Sequence, residues 1–209
     1  MDYTTLVAGA GTDGSIKNWV NKSTVPSTTV LTEAEAWIYR RLRVRQMLTN
    51  ETGTMSTSND YVSLPSDYIA DRKLRITGTN AAEIKRKTLE YVEDLFAYDA
   101  SGTRVSEKPA FYYNSDTRSQ FPNLPDQAYA YRRVYYGVLD ALSASNLTNF
   151  LTDRAPMLLR AACMMSANAF LKDDAEKTYW EEQALKEVAV LNIENDFEQR
   201  DLDAAVVVV

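Results

Sequence analysis

The sequence predicts a mainly α member of the α+β class: a helical bundle with a small antiparallel β insertion and an extended C-terminal tail. Three observations predict it. Apolar residues recur at helical spacing in two long segments, one on each side of the middle of the chain. Between them, short runs of β-branched and aromatic residues alternate with proline and glycine. The last stretch, 194–209, is acidic at first and ends on four valines.

Taken in order, a short helical piece forms around Ile16, Trp19 and Val20, and a loop rich in Ser, Thr and Pro covers 22–29. Residues 30–48 read as a helix, with Thr32 as N-cap and Glu35 as its capping-box partner. On a helical wheel Leu31, Ala34, Ile38 and Leu42 form one stripe, and Val30, Trp37, Val44 and Leu48 lie beside it. That arc is wide enough for two packing surfaces. Residues 49–60 are polar and read as a loop. Strand-type runs follow at 61–64, 73–77, 89–92, 111–114 and 128–138, with a helical turn near 94–96. Asp153 is placed to cap the next helix, with Pro156 in its first turn. Residues 157–171 are apolar nearly all round, so this helix is central. A second helix runs from about 173 to about 192. The expected organisation is one domain over 1–193, helical at 1–48 and 150–193 with the β-rich insertion at about 60–138, followed by the tail.

Composition narrows the chemistry. The 209 residues include no histidine and one cysteine, Cys163. This removes histidine-based nucleophilic catalysis, histidine metal sites, an internal disulfide framework and thiolate zinc clusters. No catalytic residue, metal or cofactor is expected. A net charge of −6 argues against broad attraction to phosphates. The N-terminus lacks the pattern of an export signal, and the most apolar window, 155–171, is interrupted by Arg160, Ser166 and Asn168. The expectation is a protein made in a cytoplasm, with no membrane partner.

Gly9–Gly14 fits G-x-G-x-x-G, but no strand of useful length precedes it and only a short helix follows, so it reads as a loop. In the run Arg40-Arg41-Leu42-Arg43-Val44-Arg45, Arg41 and Arg45 fall inside the apolar arc. They are expected to be part-buried and paired with carboxylates, within the chain or across a subunit interface. Asp173, Asp174 and Glu176 suit a helix N-terminus. Glu181 and Glu182 are the pair a carboxylate-based glycan hydrolase would draw on.

The order of the pieces resembles the head-to-tail adaptor (connector) family of tailed phages. The matching blocks are the opening Met1-Asp2-Tyr3, Ile16-Lys17-Asn18-Trp19, Ala34-Glu35-Ala36-Trp37-Ile38 and Val62-Ser63-Leu64-Pro65-Ser66-Asp67-Tyr68. Leu89-Glu90-Tyr91-Val92, Leu124-Pro125-Asp126, Val134-Tyr135-Tyr136, Asn146-Leu147-Thr148-Asn149 and Phe170-Leu171-Lys172-Asp173-Asp174 continue the series to about residue 193. The resemblance implies a non-enzymatic component of the virion neck, assembled in the host cytoplasm. It implies a ring of twelve copies, docked on the portal protein and facing a tail nozzle, hub or tube protein. Genomic DNA passes through the lumen of such a ring without sequence-specific binding. Trp37, Arg41, Val44 and Arg45 are the expected inter-subunit residues, together with part of the β insertion. Phe197, Leu202, Val206, Val207, Val208 and Val209 are the expected portal-binding tail. Another ring-forming tail component, a stopper or terminator, is the first alternative, and the glycan hydrolase the second.

Overall fold

Small polar residues placed ahead of short apolar runs start the first helices. Asp2 accepts from the Thr5 amide at 2.8 Å and caps α1 (Tyr3–Val7), and Ser15 accepts from the Asn18 amide at 3.1 Å and caps α2 (Ile16–Trp19). The structure, a computed structural model, describes the backbone of residues 1–205 and the side chains of residues 1–196. Helix α3 (Ser27–Tyr39) follows Pro26. It starts earlier than expected: Thr32 lies within it, its hydroxyl bonded back to the Thr28 carbonyl at 3.0 Å, and Glu35 is buried instead of closing a capping box. It also ends earlier, at Tyr39 rather than at residue 48, because other groups take the carbonyls a further turn would use. The Arg43 guanidinium donates to the carbonyls of Leu42 (2.6 Å) and Tyr39 (3.0 Å). Asn192 holds the next residues, its amide donating to the Arg41 carbonyl at 3.1 Å and its Oδ1 accepting from the Arg43 amide at 2.7 Å.

A single 3₁₀ turn, Arg45–Met47, leads into β1 (Leu48–Thr54), where a loop was expected. Then come β2 (Tyr61–Ser63), β3 (Tyr68–Ile76), β4 (Ala82–Arg86), α4 (Leu89–Glu93), β5 (Phe111–Asn114), β6 (Arg118–Gln120) and β7 (Ala130–Gly137). The strand expected at 89–92 is the helix α4, capped by the Thr88 hydroxyl on the Tyr91 amide. The seven strands form one curled sheet in the order β1-β7-β3-β4-β5-β6-β2. All neighbours are antiparallel except β4 and β5, which run parallel. The fold is therefore a mixed α/β fold, not a helical bundle with a small β insertion.

The sheet is larger than the sequence predicts because its inner face is only partly apolar. Leu74, Ile76, Ile84, Tyr112, Phe121, Tyr129 and Tyr131 pack with Met55 and Val62 as an ordinary core. Further along the same face of β7 sits Arg133, 0% exposed. Its guanidinium donates to Glu51 on β1 (3.0 Å), to the Ser63 carbonyl on β2 (2.8 Å) and to the Ser119 hydroxyl on β6 (2.8 Å), with Asp71 on β3 at 3.7 Å. The first and last strands of the sheet order thus meet at one side chain. Strands such as β1 (LTNETGT) carry polar partners where a hydrophobic alternation would have announced them.

Three helices follow the sheet: α5 (Phe150–Asp153), α6 (Pro156–Leu171) and α7 (Asp174–Ala205). Asp153 ends α5 instead of capping α6; Asn149 caps α5 in a capping box with Thr152, and Pro156 opens α6 after Ala155. Helix α6 packs on both α3 and α7, and Leu158, Leu159, Ala162 and Cys163 on it are fully buried. Residues 194–205 continue α7 and are not an extended tail. Val206, Val207, Val208 and Val209, and the side chains of Phe197 and Leu202, lie outside the described residues. The chain divides into a helical unit, Met1–Met47 with Val138–Val209, and a sheet unit, Leu48–Gly137.

Candidate assembly interface

The arginine run sits where α3 stops, and the early stop changes the direction of every side chain in it. Arg41 is exposed and lies over the Trp37 ring, its guanidinium carbon 4.2 Å from the ring centre, with Nη1 donating to the Trp37 carbonyl at 3.2 Å. Arg45 is also exposed. Within the chain neither arginine is buried, contrary to expectation, because residues 40–48 do not continue the helix that would have turned them inward. Trp37 is half-buried and Val44 is only 2% exposed, so Val44 belongs to the chain's own core. Arg45 and Val44 border a cleft of about 280 Å³ together with Phe150, Arg154, Leu191 and Asn195. The half-buried Trp37 with its stacked arginine, and this cleft, present rigid aromatic and cationic groups of the kind enriched at protein–protein contacts.

A second surface comes from α7. Its inner face carries Ala184 and Val188, both buried. On its outer face Tyr179, Val190 and Ile193 fall on one stripe at helical spacing and are each about half exposed, with Leu185 exposed to one side of it. Beside that stripe Met157, Arg160, Tyr179, Trp180 and Gln183 line a groove of about 230 Å³ between α6 and α7. Tyr179, Val190 and Ile193 thus remain uncovered in the single chain.

The acidic groups do not converge. Glu181 is half-buried and Glu182 exposed on successive positions of α7, so they leave the helix in different directions and line no common cleft. The hydrolase alternative loses its catalytic pair. The glycine-rich segment is a turn between α1 and α2, with no strand before it. Its carbonyls serve the fold: Gly9 accepts from the Ser15 hydroxyl at 2.9 Å and Ala10 from the Asn18 amide at 3.0 Å. Among the described residues no group of three or more Cys, Asp or Glu is arranged to hold a metal ion, and no helix is long and apolar enough to cross a membrane.

One buried acid was misread. Glu35, 4% exposed, accepts at Oε1 from the Tyr39 hydroxyl (3.1 Å), the Leu142 amide (3.1 Å) and the Asn149 side chain (3.2 Å). Burial raises its carboxyl above the usual range against the pull of these donors. The same burial pushes the Tyr39 hydroxyl and the Cys163 thiol up. Every donor is a neighbour in the fold, so Glu35 ties α3 to the segment that returns from the sheet. An i, i+4 Glu-Tyr pair on an apolar helix was the available signal.

A family model described as SU10 adaptor protein matches residues 1–208. A comparison with curated proteins finds no match.

Proposed function

The chain belongs to the SU10 adaptor protein family, of phage head-to-tail adaptors, and on that premise we propose that it forms the ring joining portal to tail. The match across 1–208 carries this reading. As a family member the protein is a structural component of the phage virion, at the neck. In the reading proposed here, about twelve copies close into a ring, one face on the portal protein and the other on a tail nozzle, hub or tube protein, and genomic DNA passes through the centre. It acts by binding and not by catalysis, and is assembled in the host cytoplasm. A closed ring needs two different surfaces on each copy, one meeting the other. Trp37 with Arg41 and Arg45 is taken as one of these surfaces and the outer stripe of α7 as the other. The C-terminal end of α7 with Phe197 and Leu202, continued by Val206–Val209, engages the portal.

The test is to mix the purified protein with purified portal and image the product. A ring of adaptor density on one end of the portal is expected. Removing 197–209, beyond the buried Asn195 of α7, is expected to weaken portal binding at least tenfold, about 1.4 kcal/mol, while leaving the cooperative urea transition in place. Absence of any portal complex from the full chain would overturn the reading.

A further inference from the structure

The face of the sheet opposite its core carries a charge pattern that the fold does not require. Arg75 on β3 stands directly opposite Arg132 on β7, and on its other side opposite Glu83 on β4. Residues paired in this way share a face. Lys73 and Lys85, two positions along their strands from Arg75 and Glu83, share it too. All four cations are exposed. Glu83 is the one carboxylate among them and is engaged by Lys73 at 3.0 Å. Arg132 is held in place by Asn50, which accepts from its Nε and Nη2 at 3.1 and 2.8 Å. Among the described residues the side chains of Arg75 and Lys85 make no hydrogen bond or ion pair.

Like charges set directly opposite each other across two strands destabilise the pair. Here Glu83, shared between Arg75 and Lys73, is the one acid set against it. It is also local: the helical unit holds 12 Lys and Arg against 17 Asp and Glu, while the sheet unit holds 11 against 12. The acidity of the chain therefore does not cover this face.

We propose that this face, centred on Arg75 and Arg132, contacts the phosphate backbone of double-stranded DNA. The four cations span roughly 10 Å at the usual strand spacings, a length of duplex that presents about six phosphate charges. The residues among them are Asn50, Thr52, Thr54, Ala130 and the half-buried Val134, none of them aromatic. A protein partner would be met by aromatic anchors and few lysines, and a single strand by stacking platforms; this face offers neither. It offers cations and small polar groups on a rigid sheet, which suits phosphate contact without base readout. The proposal rests on the adaptor reading for its setting, the DNA that traverses the neck, but its binding can be measured on the chain alone.

The experiment measures fluorescence anisotropy of a labelled 30-base-pair duplex with the full chain across a salt series. Binding is expected at low salt, with a logarithmic salt slope no steeper than about −3.6, the value for four neutralised phosphates. Arg75→Glu combined with Arg132→Glu is expected to lose at least tenfold in affinity. A control, Lys22→Glu with Lys186→Glu in the helical unit, has the same net charge and is expected to bind as the parent does. Equal losses in both variants would show a net-charge effect and overturn the proposal, as would undetectable binding by the parent protein at low salt. Portal binding is measured on the same samples. If the sheet variant loses portal or ring contacts while its DNA affinity is unchanged, the face is a protein contact and the proposal fails. If no variant or parent binds portal but DNA binding follows the expected pattern, the adaptor reading fails alone.

Discussion

Arg133 ties four strands of the sheet to one buried side chain. Four strands present their polar groups to it, and Asp71 beside it is itself almost fully buried. Arg133→Ala leaves Asp71 and Glu51 uncompensated and is expected to cost about 3–5 kcal/mol, read as a lower urea midpoint. Gly53 is the complementary case, in which absence of a side chain is required: a Cβ there would lie 2.9 Å from the Tyr131 ring. Gly53→Ala is expected to cost about 1–3 kcal/mol. In a Tyr131→Leu background most of that penalty is expected to vanish, which a double-mutant cycle measures. Glu35 gives a pH signature. Its carboxyl is raised in the fold, so the folded state holds the proton more tightly than the unfolded chain does. The stabilisation from that proton is complete below the ordinary value of 4.5 and is lost as pH rises through the raised value. The stability of the parent relative to Glu35→Gln is therefore expected to fall as pH increases from about 4.5. A difference that stays flat or rises would show that its three donors outweigh burial.

Elements were legible in proportion to how much apolar surface they bury. The aromatic strands β5 and β7 and the apolar helix α6 stand out in the sequence, since Tyr112, Tyr131 and Tyr135, or Leu158 and Leu159, face the core at the spacing of their element. Strands β1 and β4 do not, because Glu51 answers a buried arginine and Lys85 and Glu83 face outward. The end of α3 was hidden for a different reason. Local periodicity runs on to Leu48, and only the distant Asn192 and the turned-back Arg43 stop it. That is why Arg41 and Arg45 are exposed on the single chain, outside the apolar arc in which a longer helix would have set them. Asn192→Ala removes two hydrogen bonds to the main chain of 41–43 and is expected to cost about 1–3 kcal/mol. The amides of 41–43 are expected to exchange faster with deuterium in that variant.

For the whole molecule, the division into two units follows from one pairing. Leu48, the first residue of the sheet unit, lies opposite Tyr136, next to its last. The chain enters and leaves the sheet through two adjacent antiparallel strands, and the sheet has its own apolar core and its own buried arginine. Residues 48–137 expressed alone are therefore expected to fold, giving a β-type circular dichroism spectrum and a single cooperative urea transition. A gradual, non-cooperative loss of signal would show that the unit needs the helices. The paired ends also bear on inheritance. A gene segment whose product starts and stops at neighbouring backbone positions can be exchanged between genomes as a cassette, with crossover points in the codons for the residues around 47 and 138. Related chains are then expected to diverge faster between those points than outside them, so that phages could alter what the sheet touches while keeping the helices inherited from another lineage.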